Sequence, residues 1–310
     1  LMLPTLLSGI GTFADKWKIL KLQKDLKSKK LSEIFSTKEE TTLAYLEARG
    51  FSDDMIDKFF KPFFSGIFLE PKLEASSRMF EFVYKMFGEG YAAIPKAGIE
   101  AIPKQLVQNL QQTSFLFNTS VISLKDREIM LSSGEKLKSD FTIVAAEASS
   151  LMKSLEKQAS PWKSCDALYF EVNERTIAKP LIGLVSDNEA LINNIFYHTS
   201  LGAESTGKKE LLSVTVVKDH NLSEQALIEQ VQSELKDYCG IDTSRCIKRF
   251  SIPKALPKLS NLQYEMLPSE TRLTTSIFLA GDTQLNGSLN AAMIAGERAA
   301  LGLVEALSRM

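Results

Sequence analysis

Ile277-Phe278-Leu279-Ala280-Gly281-Asp282, followed beyond residues 283–286 by Gly287-Ser288-Leu289-Asn290-Ala291-Ala292-Met293-Ile294-Ala295-Gly296-Glu297-Arg298-Ala299-Ala300, decides how this chain folds. A short apolar run ending in Gly-Asp predicts a buried strand with a carboxylate at its carboxyl end. Glycines at 281 and 287 let the backbone approach a ligand closely. Residues from about Leu289 to Leu307 read as a long helix. Its first N–H groups lack intrahelical acceptors and sit at the positive end of the helix dipole. Ala292, Ala295, Gly296 and Ala299 allow that helix to lie close against a sheet. The same pattern also describes an ordinary strand–turn–helix with a small-residue packing face.

Upstream, the periodicity changes character twice. Residues 1–110 read as helical. Phe13, Trp17 and Leu20 fall at i, i+4 and i+7 among Lys16, Lys18, Lys21, Lys24, Lys27, Lys29 and Lys30. Thr41–Arg49 predicts a second helix stopped by Gly50, and Ser52 a cap for a third carrying Met55, Ile56, Phe59 and Phe60. Ser76 or Ser77 caps a fourth, with Met79, Phe80, Val83 and Phe87 on one side, and Ile99–Leu110 resumes the pattern after Pro95–Gly98. From Phe115 and Phe117 through Val121, Ile122 and Leu124 the alternation is that of strands. A hairpin turn follows at Ser133-Gly134, then a short buried strand at Phe141–Ala145. Residues 164–251 predict an antiparallel sheet with strands at Ala167–Val172, Asn194–His198, Leu211–Val217 and Cys246–Ser251. One amphipathic helix, capped by Ser223 and ended by Gly240, turns Leu227, Val231 and Leu235 inward. Pro253–Pro268 reads as irregular. The fold class is therefore mixed α/β.

Composition narrows the function classes. A chain of 310 residues suggests about two domains. Lys+Arg of 37 against Asp+Glu of 38 leaves no basic excess, and no nucleic-acid partner is expected. No apolar run reaches the ~20 residues that span a bilayer. Cys165, Cys239 and Cys246 have no metal-ligand spacing; they suggest a reducing, cytoplasmic setting and no metal site. The opening Leu1-Met2-Leu3-Pro4 lacks the basic and apolar regions of a signal peptide and reads as a chain entered partway through.

The motif beginning at Leu279 resembles the C-terminal FAD-binding motif of the flavin amine oxidase superfamily, which includes protoporphyrinogen oxidases and phytoene desaturases. Ile94–Leu106 resembles that family's proline, glycine and helix segment. Asn118–Leu124 resembles the strand whose valine backbone meets the adenine, and Ser139–Ala146 a later strand of the cofactor domain. The likeness covers nearly the whole chain. It implies a partial Rossmann-type FAD domain interleaved with a substrate domain of helices and antiparallel sheet. The substrate domain would take residues 1–97 and 159–269, and the FAD-binding segments 98–158 and 270–310. It further implies noncovalent FAD touching Val121, Gly281, Asp282, Ser288, Leu289, Asn290 and Ala291. The parent reaction would be hydride abstraction from a bulky, largely apolar molecule.

The family's opening strand, GxGxxG turn and helix have no match. Gly9-Ile10-Gly11-Thr12-Phe13-Ala14 fits GxGxxA, but a phosphate-cradling turn must follow a buried strand and Pro4 interrupts the only candidate. The pyrophosphate half of the cofactor site is therefore expected to be missing, and this fragment is expected not to retain FAD. The alternative is a non-catalytic binding or scaffold protein on a degenerate flavin fold. His198 and His220 read as surface or packing residues. The lysine run at 16–30 reads as a solvated helix face, with weak association with an anionic membrane surface as the other reading.

Overall fold

A computed structural model of the protein describes residues 9–158, 160–202 and 209–308. The chain forms two compact units, each built from two stretches of sequence. The first joins the residues up to Gly90 with Trp162–Leu256, and the second joins Tyr91–Pro161 with the residues from Pro257 on.

Helix α1 (Phe13–Ser28) starts from a reciprocal cap. The Thr12 hydroxyl accepts the Asp15 amide at 3.1 Å, and Asp15 accepts the Thr12 amide at 2.8 Å. Asp15 is fully buried and also takes the backbone amide and hydroxyl of Ser52 at 2.9 and 2.7 Å. Burial pushes its carboxyl up, but these hydrogen bonds outweigh that and hold it well below the usual carboxylate range. The GxGxxA stretch is thus a helix start whose Thr12 amide is taken by the helix's own Asp15 and whose Gly11 amide is taken by Asp54 at 2.7 Å. Anchoring Asp15 inward also sets the helix rotation. Leu22 and Leu26 are buried, whereas Phe13 and Trp17 are 78% and 62% exposed.

Helices α2 (Leu31–Ser36), α3 (Thr42–Ala48), α4 (Asp53–Met55), α5 (Lys61–Phe68) and α6 (Ser77–Glu89) complete this layer, with a π-turn at Ile56–Phe60 between α4 and α5. Their core is aromatic. Phe60, Phe64 and Phe80 are fully buried, with Phe64 and Phe80 centroids 4.6 Å apart. The predicted apolar side of α6 holds only in part, since Phe87 is exposed and Glu81 and Lys85 are buried. Glu81 is satisfied by the Tyr45 hydroxyl at 2.7 Å, and Lys85 by the carbonyls of Leu26 and Lys27.

In the second unit, α7 (Ala101–Val107) buries none of its residues. Phe115 and Phe117, expected to open a strand, lie outside one; they stack on each other at 5.9 Å. The strand begins at Val121. β1 (Val121–Lys125), β2 (Glu128–Leu131) and β3 (Lys136–Lys138) form an antiparallel meander, with the second turn at Ser133-Gly134 as predicted. β4 (Thr142–Val144) follows.

The chain then builds the five-stranded sheet of the first unit from β5 (Trp162–Val172), β6 (Gly183–Leu184), β7 (Ile192–Tyr197), β8 (Glu210–Val216) and β9 (Thr243–Pro257), in the order β6-β7-β8-β5-β9. Helix α8 (Glu224–Cys239) covers one face: Leu227, Val231 and Leu235 pack on Leu168, Phe170, Leu212 and Val214. Its Ser223 cap and left-handed Gly240 stop are as predicted. β9 runs on through Pro253 to Pro257, where irregular chain was expected. It is an edge strand, where a proline's missing N–H costs no ladder bond.

Back in the second unit, β10 (Ile277–Leu279) pairs in parallel with β4. Helix α9 (Leu289–Leu307) packs through Ala291, Ala295, Ala299 and Gly302; of the small residues expected on that face, Ala295 and Ala299 are buried and Ala292 and Gly296 only half-buried. Phe278 and Ala280 meet Ala299 on that side, while Ile277 and Val144 pack with Leu124 of the meander on the other.

Candidate functional site

β10 delivers the chain to Gly281, which has φ 107° and ψ 170°, a conformation that favours glycine. No heavy atom lies within 4 Å of where a Cβ on Gly281 would stand, so the backbone there borders open space. The Asp282 backbone carbonyl accepts the amides of Leu285 and Gly287 at 3.3 and 3.0 Å and closes the turn. Its half-buried carboxylate accepts no hydrogen bond among the described residues. Gly287, at φ 70°, reverses the chain into Ser288, the cap of α9.

The cap decides which amides remain available. Ser288 Oγ accepts the Ala291 amide at 3.1 Å and donates to Asn286 Oδ1 at 2.7 Å, and Asn286 is itself anchored on the Gln263 carbonyl. Ala291 is fully buried and its N–H is taken. The amides of Leu289 and Asn290, both exposed residues, have no protein acceptor among the described residues. Val121 packs in the same apolar cluster as Leu279, two positions before Gly281. Residues distant in sequence are thus brought to one end of the β4–β10 pair: an open backbone, a partnerless carboxylate and two free amides on a helix dipole. Such a surface can take hydroxyl donors at Asp282 and an electron-rich ring edge at the helix start.

The first unit holds a second candidate surface, which periodicity did not reveal. On the sheet face opposite α8, Phe196, Ser213 and Tyr169 stand in register across β7, β8 and β5. Phe250 of β9 meets Tyr169 edge-on at 5.8 Å. His198 packs against Phe196 at 5.2 Å and Tyr169 at 5.7 Å. Ser213 Oγ lies 3.0 Å from His198 Nε2 and donates to the Phe196 carbonyl at 3.2 Å, which makes Nε2–H the donor to Ser213. Burial lowers the His198 pKa and keeps the ring neutral. His198 is therefore the centre of an aromatic sheet row. The signal for it was the alternation of half-polar residues along β7 and β8, whose register only the fold supplies.

His220 lies 3.0 Å from Asp166, which Arg249 also holds at 2.7 Å. Burial pushes the Asp166 carboxyl up, but these two partners outweigh it and lower it overall. The network ties β5 to β9. Tyr197 is core, with its hydroxyl on Thr176. Burial pushes all three cysteine thiols up, the opposite of an activated nucleophile. No cluster of metal-ligating side chains occurs among the described residues.

The family model for flavin containing amine oxidoreductases matches residues 9–303. No curated protein matches the sequence significantly. Among solved structures, an oxidoreductase from Methanosarcina mazei aligns with a TM-score of 0.69 at 15% identity, over 98% of this chain and 74% of that one. A CLA-producing fatty acid isomerase from P. acnes gives 0.64 at 11% identity, over 93% and 74%. A putrescine oxidase with redesigned cofactor binding gives 0.62 at 11%, over 96% and 77%. At these identities the structural likeness speaks for the fold.

Proposed function

This chain belongs to the family of flavin-containing amine oxidoreductases, and from that premise we propose that it serves an FAD-dependent oxidation of a bulky, largely apolar substrate. The observation that carries the cofactor reading is the end of β10. Gly281 borders open space beside the partnerless carboxylate of Asp282. In this reading Asp282 accepts a hydroxyl of the cofactor's sugar or ribityl chain. The Leu289 and Asn290 amides, with the α9 dipole behind them, face the pyrimidine edge of the ring, and Ser288 fixes the turn that aims them. The Val121 backbone meets the adenine. When bound, FAD would supply the hydride acceptor for a substrate C–H bond, and the residues named above would position it and set the local field.

The aromatic sheet row supports the substrate class. Tyr169 and Phe196 flank a neutral His198, Phe250 extends the row beyond Tyr169, and together they offer apolar and π surface, with the Lys248 ammonium over the Phe250 ring at its edge. The phenylalanine-rich helices contribute less than their sequence suggests, because Phe60, Phe64 and Phe80 pack on one another. Phe59, Phe63 and Phe87 remain partly exposed. Cofactor retention by this chain is weak in this reading, because the Gly11 and Thr12 amides at the glycine-containing start of α1 are already taken by Asp54 and Asp15. The three free thiols favour a reducing, cytoplasmic location.

FAD titration of the purified chain, followed by flavin fluorescence, tests the cofactor site. Asp282→Ala removes a charge-assisted hydrogen bond of about 1.5–3 kcal/mol, roughly tenfold to a hundredfold in affinity. Equal FAD affinity in the variant and the parent would overturn the assignment.

A further inference from the structure

We propose that the outer face of α1 docks the protein on an anionic lipid bilayer. The face is defined by its own geometry. At 3.6 residues per turn, Phe13, Trp17, Leu20, Lys21, Lys24 and Lys27 fall within an arc of roughly 120°. Asp15, Leu22 and Leu26 occupy the opposite side and are buried, so the helix rotation is fixed by its core contacts. Phe13 is 78% and Trp17 62% exposed. Lys21, Lys24 and Lys27 form no ion pair among the described residues, although the carboxylates of Asp15 and Asp25 lie on the same helix. Asp15 is buried in its cap, and Asp25 is turned to Arg49 at 3.7 Å. What remains outward is uncompensated positive charge beside two large aromatics, with Lys21 Nζ 5.9 Å from the Trp17 ring centre.

Charge and polarity are also separated along the axis. The apolar side chains occupy the first two turns and the free lysines the last two. An aromatic end that enters the headgroup boundary and a lysine end that stays at phosphate level match the surface of a bilayer containing anionic lipid. An acidic protein groove would satisfy the lysines but not the rings, and a purely apolar partner would leave three charges unpaired. No described helix is long and apolar enough to cross a membrane, so the contact is a surface one. This inference is independent of the cofactor assignment.

The test is co-sedimentation of the purified chain with phosphatidylcholine vesicles, with and without phosphatidylserine, at low and high salt. Binding is expected only to the phosphatidylserine vesicles and should fall at high salt. A Phe13→Ala, Trp17→Ala variant should lose it. Each of Lys21→Gln, Lys24→Gln and Lys27→Gln should weaken it roughly fivefold. All five side chains are outward, so melting temperatures should stay at the parent value. The chain has only two tryptophans, so a Trp162→Phe background reports on Trp17 alone, and its emission should shift to the blue on binding. Absence of binding at low salt, equal binding to neutral vesicles, or binding unchanged in the variants would overturn the proposal. So would concentration-dependent self-association abolished by Trp17→Ala, which would assign the face to a second copy of the chain.

Discussion

The hydroxyl of Ser288 holds the amide of Ala291 at 3.1 Å, and through this one contact the first turn of α9 presents only the amides of Leu289 and Asn290. Capping and cofactor contact can be separated here. Ser288→Asp keeps an N-cap acceptor and complements the dipole, so stability should stay within about 0.5 kcal/mol of the parent. The added charge faces the ring edge assigned to that turn, so FAD affinity should drop. Ser288→Ala should instead lose about 1 kcal/mol of stability. Urea denaturation and FAD titration of the two variants measure both effects. Parallel losses in both readouts would show that the turn is only structural.

Two glycines of α9 should respond in opposite directions to the same substitution. A Cβ on Gly302 would lie 2.5 Å from the Pro268 carbonyl oxygen and 3.0 Å from Thr271 Oγ1, both fixed by the 3₁₀ turn at Pro268–Thr271. Gly302→Ala should therefore cost about 1–3 kcal/mol. A Cβ on Gly296 would meet nothing within 4 Å. Gly296→Ala should stabilise by up to about 1 kcal/mol through helix propensity alone. Denaturation midpoints of the two variants should move apart, and movement in the same direction would contradict this packing.

The sequence was most legible where local signals agree. Ser223 and Gly240 bound α8 because cap, apolar stripe and stop all favour one helix, and the strand–turn–helix at 277–307 is read for the same reason. It failed where a long-range contact decides. Phe13 and Trp17 have helical spacing yet face out, because Asp15 is pinned by Ser52, 37 positions away. The strand expected from Phe115 starts only at Val121, because residues 91–120 are largely exposed and nothing pairs with Phe115 or Phe117 among the described residues. Pro253 looked like a strand breaker and lies in β9, because the edge position of that strand depends on the order of the sheet. The same limit hid His198. Its neighbours Tyr169, Ser213 and Phe250 belong to other strands, and their shared face exists only once the register is set.

Asp15 should control acid stability. Its carboxyl is held below the ordinary value of 3.8, so its contribution is complete above that pH and is lost as pH falls through the lower folded-state value. Asp15→Asn puts an amide N–H₂ among donors that need an acceptor. The loss of one charge-assisted bond costs about 1.5–3 kcal/mol, and an unsatisfied buried donor adds to it. At neutral pH the variant should melt well below the parent. Stabilities of the two should converge as pH is lowered beneath the usual aspartate range. A constant gap at all pH values would show that Asp15 acts by packing and not by charge.

The substrate reading makes the last demand, on the sheet row of the first unit. If Tyr169, Phe196 and Phe250 provide an apolar surface for the reacting molecule, truncating the exposed ring should weaken substrate use while leaving the fold intact. Phe250 is 49% exposed and packs edge-on against Tyr169, so Phe250→Ala removes surface from the row with little loss from the core. His198 is neutral and its Nε2–H is committed to Ser213, so the ring at the centre of the row supplies no charge to orient an amine, and the Lys248 ammonium 5.8 Å from the Phe250 ring would repel a cationic one. With FAD supplied in excess under anaerobic conditions, polyene-like or porphyrinogen-like compounds should bleach the flavin absorbance and small primary amines should not. Phe250→Ala should raise the concentration needed for half-maximal bleaching by roughly tenfold, the value of one partly buried aromatic contact. Rapid bleaching by small primary amines, with none by the apolar compounds, would overturn the substrate class and leave the cofactor assignment at Asp282 standing on its own test.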